Sequence, residues 1–496
     1  MFGIGNTIGA GIFALIGLGS KYAGPSLFLS FLFCGLVSST TALIYSELSA
    51  KMPSSGSSYS YVYSTFGELP GWIVGWNLNL RYGITAGALS RAWTSYFVGL
   101  LGAIGITLPK VLYSIQIYKF DASIMSVLFI IICTIIMNMG AQSSNIFNYS
   151  ITVGKLVTIV LIVIVGLTYF DINNFEPFII EESGGILGTI QGGALTFLAY
   201  LGFDFITTLS QEAKNPKKDL PRSILLTVGI CTFIYCIMSF SLAGVARLDK
   251  LQADTAIALA FEIVGNKWMV FIIYFSAFFG LTAATFAPLM SQPRILKAYA
   301  DDGLFFKIFS KINPKTQVPT EGSVYICIFV CLVCFFFSLE EMSKTISLSI
   351  LLSYSVTNAA CIAQRFREET TKVSKYEVYI WSFFVLALAF SFSVSLSWSI
   401  YITTSLGSLT LILMIQLMLI PQISIPKETF RCPFVPTIPC IGMIGNFMLC
   451  CQMDYMTWVY YFIFNAIGIC FYVGYGYRNS KLNRSQIGQN SKSINY

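Results

Sequence analysis

Two stretches of the 496-residue chain combine glycine with polar residues inside otherwise apolar sequence. Residues 3–13 read GIGNTIGAGIF, and residues 198–204 read LAYLGFD. Glycine lets a backbone leave helical geometry, and the N–H and C=O groups freed inside a membrane are tolerated only where they line a cavity or bind a ligand. Such groups can hold a zwitterion, with its carboxylate at free N–H groups and its ammonium at free carbonyls. The alternative for residues 3–13 is close helix packing through small residues.

Lys155 is an ionisable residue inside an apolar stretch, residues 148–167, which read NYSITVGKLVTIVLIVIVGL. A charged residue at this depth is a functional candidate. We expect a fixed cation beside the first helix, in the place that a sodium ion would otherwise fill, and able to exchange a proton if buried. The alternative is a side chain that extends along the helix to the membrane surface.

Arg81 and Arg91 fall in a third apolar stretch, ten residues apart, so on one helix they point to different sides. We expect at least one of them to pair with backbone carbonyls or with a carboxylate. Asp204 in the second glycine-containing stretch and Glu212 beyond it are the acids available nearby. The alternative for Asp204 is a purely structural role, in which it stabilises a helix break.

The composition places the chain in a membrane. Hydrophobic residues make up 55% of it and charged residues 11%, against about 25% charged in soluble domains. The absence of histidine excludes histidine-based catalysis, metal ligation and proton relay. No phosphate loop, zinc ligand set or basic stripe is present, so no enzyme, cofactor, metal or nucleic-acid partner is expected. The thirteen cysteines are expected to pack in apolar surroundings without disulfides.

Apolar runs separated by polar breaks predict an all-α integral membrane protein with fourteen spans. The limits are 2–19, 25–47, 70–101, 122–140, 150–170, 187–210, 223–245, 268–292, 321–338, 346–364, 378–397, 402–421, 434–453 and 455–475. With the N-terminus inside, most of the 30 basic residues fall in cytoplasmic loops, as the positive-inside rule requires. Both termini are therefore predicted to be cytoplasmic, with a disordered tail at 476–496. Because the first predicted span begins at residue 2, few residues would precede it on the cytoplasmic side.

The glycine-containing stretches lie in spans one and six. This spacing predicts an inverted repeat of five plus five helices, with a binding site between two broken helices and Gly202 at the second break. The predicted units are residues 1–170 (spans 1–5), 187–364 (spans 6–10) and 378–475 (four accessory spans).

Five motifs resemble the cationic amino acid transporter family of the amino acid–polyamine–organocation superfamily. They are GIGNTIGAGIF, YSELSAKMPSSGSSYSYVY, FLAYLGFDFITTLSQEAKNPKKDLP, PRILKAYADDGLFFKIFSKIN and the segment RCPFVPT…YRNS near the C-terminus, in that order along nearly the whole chain. The resemblance implies a LeuT-like fold and a substrate site on the first, third and sixth helices. The implied residues are Thr7, Ile8, Gly9, Ala10, Gly11, Thr85, Leu198, Ala199, Leu201 and Asp204. It also places Lys155 where bacterial relatives carry a lysine linked to sodium-independent, proton-coupled transport.

Arg81 departs from the family pattern, because many relatives read Leu-Glu-Tyr where this chain reads Leu80-Arg81-Tyr82. A carboxylate there would favour a cationic substrate, whereas an unscreened arginine would repel it by several kcal/mol. Arg81 is expected either to turn outward or to pair with Asp204.

Together with the residues above, the resemblance implies a sodium-independent amino acid permease, monomeric and in the plasma membrane, with arginine or lysine as substrate and with proton coupling or facilitated exchange. The alternatives are a carrier of neutral amino acids or polyamines and a non-transporting amino acid receptor. A channel would need rings of like groups or filter loops, which the sequence lacks.

Overall fold

The computed structural model describes most of the chain. The described residues are 2–54, 56–117, 120–139, 145–181, 184–208, 213, 215–247, 251, 255–313, 319–366, 376–423 and 429–481. Most of the predicted tail at 476–496 lies outside them, and so does Glu212.

Residues 2–168 form seven helices and a short hairpin. The helices are α1 (Phe2–Ala23), α2 (Leu27–Lys51), α3 (Ser58–Phe66), α4 (Glu68–Ala103), α5 (Lys110–Tyr113), α6 (Ile124–Asn138) and α7 (Asn145–Thr168). Strands β1 (Ile115–Ile117) and β2 (Phe120–Ala122) pair antiparallel with Gln116 opposite Asp121.

Residues 186–366 continue the helical pattern. They contain α8 (Ile186–Thr196), a 3₁₀ turn (Phe197–Tyr200), α9 (Phe203–Thr208), α10 (Pro216–Val245), α11 (Ala256–Ile263), α12 (Lys267–Asp301), α13 (Thr320–Phe336) and α14 (Leu339–Phe366). The C-terminal part contains α15 (Glu377–Ser395), α16 (Ile400–Leu419), α17 (Thr437–Cys450), α18 (Tyr455–Phe471), a π-helical turn (Tyr472–Gly476) and α19 (Tyr477–Asn479).

The predicted class, an all-α membrane protein, is confirmed. Within the described ranges, nine helical segments are long and apolar enough to cross a membrane, one of which runs through α1 and α2 together. Helices α6, α13 and α17 are apolar but shorter. Each of the fourteen predicted segments overlaps a helix of the structure, and the count of fourteen membrane crossings stays a prediction.

The sixth predicted span is broken, as expected. Helix α8 gives way to the 3₁₀ turn, Leu201 is extended (φ −66°, ψ 124°), and Gly202 has a φ of +148° before α9 begins. A side chain with a Cβ rarely adopts that φ, so the break requires a glycine at this position.

The predicted break in the first span is wrong, because α1 is one continuous helix from Phe2 to Ala23. Glycine inside a helix costs about 1 kcal/mol relative to alanine, which weakens the helix without forbidding it. The Thr7 hydroxyl also donates to the carbonyl of Gly3 one turn earlier, at 2.7 Å, which fits helical geometry. The glycines of α1 serve close packing in this conformation.

Four helices of the first predicted repeat each pack against their counterpart in the second. Helix α1 contacts α8, α2 contacts α10, α4 contacts α12 and α6 contacts α13. Short elements between the spans were missed, namely α3, α5, α11 and the hairpin. They are too short to produce a long apolar run, so hydropathy alone does not find them.

A buried ion pair joins the cytoplasmic ends of α2 and α14 in the predicted topology. Arg365 donates from Nε and Nη2 to the two carboxylate oxygens of Glu47, at 2.8 and 2.7 Å. The same carboxylate accepts from the backbone N–H of Cys432 at 2.7 Å. The segment that leads into α17 is thereby tied to the helices of the first ten spans.

Replacing Arg365 by methionine is expected to lower the free energy of unfolding by about 3 kcal/mol, because Glu47 would keep a buried charge without its partner. Thermal unfolding of the detergent-solubilised protein measures the effect, with the exposed Arg478 replaced by methionine as control. Equal melting temperatures for the two variants would contradict a stabilising role for the pair.

The last helices are held to α4 by side chain to backbone hydrogen bonds. The indole N–H groups of Trp72 and Trp76 donate to carbonyls of α18 at 2.9 and 3.0 Å. Beyond α19, the N–H of Lys481 donates to the carbonyl of Asp302 at 3.1 Å. The C-terminal helices therefore contact the end of α12 as well as α4.

Candidate functional site

Helix α1 and the broken sixth span touch each other at glycines. A Cβ at Gly11 would overlap the Cβ of Ala199, and a Cβ at Gly202 would lie 3.0 Å from the Cα of Thr7. Because both approaches need glycine, the two stretches singled out in the sequence are brought into direct contact. In this conformation they pack against each other.

Tyr235 on α10 bridges the two stretches. Its hydroxyl lies 2.8 Å from the carbonyl oxygen of Thr7 and 2.9 Å from that of Ala199, so its single proton is shared between two acceptors on different segments. Sequence reasoning missed this residue. The available signal was a tyrosine in the middle of the apolar run ICTFIYCIMSF (residues 230–240), where a hydroxyl has to find an acceptor inside the protein.

Lys155 lies against the face of α1. Its Nζ donates to the carbonyl of Gly5 at 2.8 Å, and the residue is 3% exposed. A Cβ at Gly9 would lie 3.0 Å from this Nζ, and the aliphatic stem passes beside Gly280 on α12. This placement matches the expected cation beside the first helix and differs from the alternative of a side chain extended to the membrane surface. Its role in transport stays a prediction.

Arg81 and Asp204 form a buried ion pair, with Nη2 of the arginine against Oδ2 of the carboxylate. The two side chains are 1% and 0% exposed. Arg81 therefore pairs with Asp204 and does not turn outward. Arg91 finds its partners elsewhere, since its Nη1 lies 3.7 Å from Oδ2 of Asp121 and its Nε donates to the carbonyl of Phe337 at 3.1 Å.

Aromatic side chains surround this ion pair. The guanidinium carbon of Arg81 lies 5.1 Å from the ring centre of Tyr82, within the range of a cation–π contact. Phe203, the neighbour of Asp204 in sequence, packs against Tyr45 and Tyr354 with ring centres 5.8 and 5.4 Å away. The charges are therefore enclosed by rings from α2, α4, α9 and α14.

The ion pair is only partly satisfied by hydrogen bonds. Among the described residues, Nε and Nη1 of Arg81, Oδ1 of Asp204 and the hydroxyl of Tyr354 have no hydrogen-bond partner. A buried polar atom left unpaired costs about 1–3 kcal/mol, and more when it carries charge. Groups in this state are expected where a ligand complements them during the working cycle.

Four further predicted site residues, Ile8, Thr85, Leu198 and Leu201, are buried. Ile8, Leu198 and Leu201 are 1–3% exposed. The hydroxyl of Thr85 donates to the carbonyl of Arg81 in its own helix, at 2.7 Å. Ala10 belongs to the continuous α1, so its backbone is helical in this conformation.

Replacing Gly202 by alanine is expected to lower uptake of the transported solute by about tenfold. The added Cβ meets Thr7, and the φ of +148° is strained for any residue with a side chain. Gly229→Ala on α10 is the control, because nothing lies within 4 Å of its Cβ position. Uptake per folded molecule, with folding monitored by thermal unfolding, separates the two. Equal uptake by both variants would contradict the prediction.

The comparison with protein families covers almost the whole chain. The model for amino acid permeases matches residues 1–420, and the model for the C-terminus of these permeases matches residues 430–480. The chain belongs to the amino acid permease family. The family consists of transporters, and the resemblance to the cationic amino acid transporters is confirmed by near full-length relatives.

Three relatives of this permease show the range of solutes in the family. A methylthioribose transporter of Bacillus subtilis is 30% identical over 98% of the chain and 93% of its own length. A vacuolar cationic amino acid transporter 4 of Arabidopsis thaliana is 29% identical over 97% and 91%. A branched-chain amino acid permease of Bacillus subtilis is 28% identical over 98% and 93%.

Proposed function

We propose that this permease carries an amino acid across a membrane by alternating access, without sodium. The observation that carries the proposal is the buried ammonium of Lys155. It donates to the carbonyl of Gly5 on α1 and lies beside Gly9. A resident cation at that position takes over the electrostatic role of a bound sodium ion. Because an ammonium can release a proton, it also gives the carrier a route to proton coupling.

The proposed architecture has fourteen spans with both termini in the cytoplasm. The pairing of α1, α2, α4 and α6 with α8, α10, α12 and α13 supports an inverted repeat of residues 1–170 and 187–364. Residues 378–475 then form four accessory spans. Rocking of one helix bundle against another around the broken span would expose the site to each side in turn.

The substrate site is proposed at the contact between α1 and the broken span. The main-chain carboxylate and ammonium of the substrate would be held by backbone groups of Thr7–Gly11 and of the 198–202 segment. Since α1 is continuous here, we propose that it unwinds locally at Gly9–Gly11 when substrate enters. Glycine lowers the cost of that change.

The proposed substrate is a cationic amino acid, with a neutral one as the second candidate. Pairing with Asp204 neutralises Arg81, so a dibasic substrate would not meet an uncompensated arginine. The neutral amino acid is kept as the second candidate because the same electroneutral pair supplies no surplus negative charge for the side-chain ammonium of a dibasic substrate. Transport of a polyamine, and amino acid sensing without transport, are the two remaining hypotheses.

The protein is proposed to act as a monomer surrounded by lipid in the plasma membrane. The test is uptake of radiolabelled amino acids and polyamines into proteoliposomes that contain the purified protein. Uptake of arginine or lysine that is unchanged when choline replaces sodium, and that responds to a proton gradient, is expected. Leucine uptake without arginine uptake would select the neutral candidate. Binding without uptake of any solute would indicate a receptor.

A further inference from the structure

The segment after α12 and the C-terminal turns of the protein pack together. A Cβ at Gly303 would overlap the carbonyl oxygen of Asn479, and the rings of Phe306 and Tyr475 have centres 4.8 Å apart. In the proposed topology both segments lie on the cytoplasmic side of the membrane. Their combined outer face is called the C-terminal surface below, and it consists of residues 303–312 and 473–481.

Four cations of the C-terminal surface are exposed, two from each segment. They are Lys307, Lys311, Arg478 and Lys481. Among the described residues, none of these side chains has a carboxylate at ion-pair distance. The surface therefore carries positive charge that the surrounding described chain does not neutralise by direct pairing.

Acidic side chains near this surface are engaged by other groups or lie apart from the cations. Asp301 and Asp302 accept hydrogen bonds from a lysine of α12 and a tyrosine of α3, at 2.7 and 2.8 Å. Glu68 accepts from two hydroxyl groups of the C-terminal turns. Glu321, at the start of α13, is exposed and forms no ion pair with the four cations. An anion that binds the four cations would have to come from outside the described chain.

Large apolar side chains alternate with these cations and are exposed as well. Phe306, Ile308 and Ile312 lie beside the two lysines of the first segment, and Val473 and Tyr477 precede the cations of the second. Apolar side chains next to lysine and arginine are typical of segments at a membrane surface, where the apolar groups enter the acyl region and the cations stay among the headgroups. The C-terminal surface therefore has both parts of a lipid contact.

We propose that the C-terminal surface binds an anionic phospholipid of the cytoplasmic leaflet. The four cations contact its headgroup, and its acyl chains lie against the exposed apolar side chains. The positive charge selects an anionic lipid over a zwitterionic one, and the apolar residues select a lipid over a soluble phosphate. Residues 482–496 do not supply this anion from their side chains, because they contain two basic and no acidic ones.

The proposed lipid site is continuous with the helix that backs Lys155. The segment 303–312 follows directly on α12, and a Cβ at Gly9 would lie 2.8 Å from the Cβ of Ala284 in that helix. A lipid that holds both segments together would stabilise the end of α12 against the C-terminal helices. The inference uses the proposed topology and does not depend on which solute is carried.

The test measures phospholipid binding by the purified full-length protein in dodecyl maltoside micelles. Radiolabelled phosphatidylglycerol is titrated against phosphatidylcholine with the same acyl chains. Phosphatidylglycerol is expected to bind about tenfold more tightly, and to raise the melting temperature more, because a ligand of the folded state stabilises it. The difference is expected to shrink at 1 M salt, where the Debye length is about 3 Å. Equal affinity for the two lipids would overturn the inference.

Matched variants locate the site. Lys307→Gln/Lys481→Gln removes one cation from each segment and is expected to weaken phosphatidylglycerol binding about tenfold. Lys307→Arg/Lys481→Arg keeps both charges and should bind like the unmodified protein. The control is Lys217→Gln/Lys218→Gln, which removes two exposed cations at the start of α10, on the same side of the membrane in the proposed topology, and should leave binding unchanged.

Two results would overturn the inference from these variants and a competitor. An equal loss in both glutamine pairs would show general attraction to the positive side of the protein instead of a site. Displacement of the lipid by glycerol 3-phosphate at equal concentration would show that a soluble phosphate suffices. Specific lipid binding by a protein that takes up no amino acid would leave this inference standing and overturn only the proposed function.

Discussion

Replacing Lys155 by methionine is expected to reduce amino acid uptake by about tenfold and to abolish its dependence on pH. Methionine keeps most of the length of the side chain, so the packing beside Gly280 survives while the charge at Gly5 is lost. Within the described residues, no carboxylate lies at ion-pair distance from Lys155. An ammonium buried without an anion costs folding free energy. The melting temperature of the variant is therefore expected to stay level or rise while transport falls.

Two further variants sharpen this prediction. Lys155→Arg keeps a cation that cannot release its proton, so binding should persist while the pH profile of uptake becomes flat. Lys110→Met, at an exposed lysine, serves as the control for loss of one positive charge. If Lys155→Met transports like the unmodified protein at every pH, Lys155 has only a packing role.

Breaking the pair of Arg81 and Asp204 from either side is expected to cost about 3–5 kcal/mol of folding free energy, because each single change leaves one buried charge without a partner. Arg81→Met and Asp204→Asn should therefore melt at much lower temperatures than the unmodified protein. The double variant should recover a large part of the loss, since neither charge remains. Additive losses in the double variant would show that the two side chains are not coupled.

Substrate preference gives a second readout of the same pair. Arg81→Glu places two carboxylates inside the aromatic enclosure, where like charges cannot both ionise without a cation. A dibasic substrate supplies that cation, so the ratio of arginine uptake to leucine uptake is expected to rise by about tenfold. An unchanged ratio would place Arg81 outside the region that the substrate side chain reaches.

The fold class and most helices could be predicted because lipid imposes a simple rule on sequence. A helix that crosses hydrocarbon needs a long apolar run, and such runs coincide with the long helices, for example α1, α2, α4, α10 and α12. The short elements α3 and α11 carry no such run. They are held by packing between spans, which is a tertiary effect that hydropathy does not report.

Of the two glycine-containing stretches, the local sequence predicts the backbone conformation correctly in only one. At Gly202 the backbone has a φ that glycine alone adopts readily, so the residue type indicates the helix break. In α1 the glycines are compatible with a helix and with an unwound segment, and contacts with Lys155, Tyr235 and Ala199 are all made by the helix. Whether glycine serves packing or unwinding depends on partners distant in sequence.

The sequence identified most residues of the candidate site but not the contacts between them. Lys155, Arg81 and Asp204 were found because charge in an apolar run is conspicuous. The partner of Arg81 lies 123 residues away in sequence, so sequence alone could not decide between pairing and outward rotation. Tyr235 was missed because a tyrosine in an apolar helix looks like ordinary packing until its two acceptor carbonyls are known.

The attachment of the last helices to α4 bears on how far this protein can be shortened. A chain cut after α16 would leave the indoles of Trp72 and Trp76 facing hydrocarbon with no acceptor for their N–H groups, and no water there to replace the lost carbonyls. Helix α18 therefore packs against α4 as part of the folded protein and cannot be removed without exposing α4. A fluorescent protein or affinity tag should leave the chain intact through Lys481, because the N–H of Lys481 donates to the carbonyl of Asp302 at the end of α12.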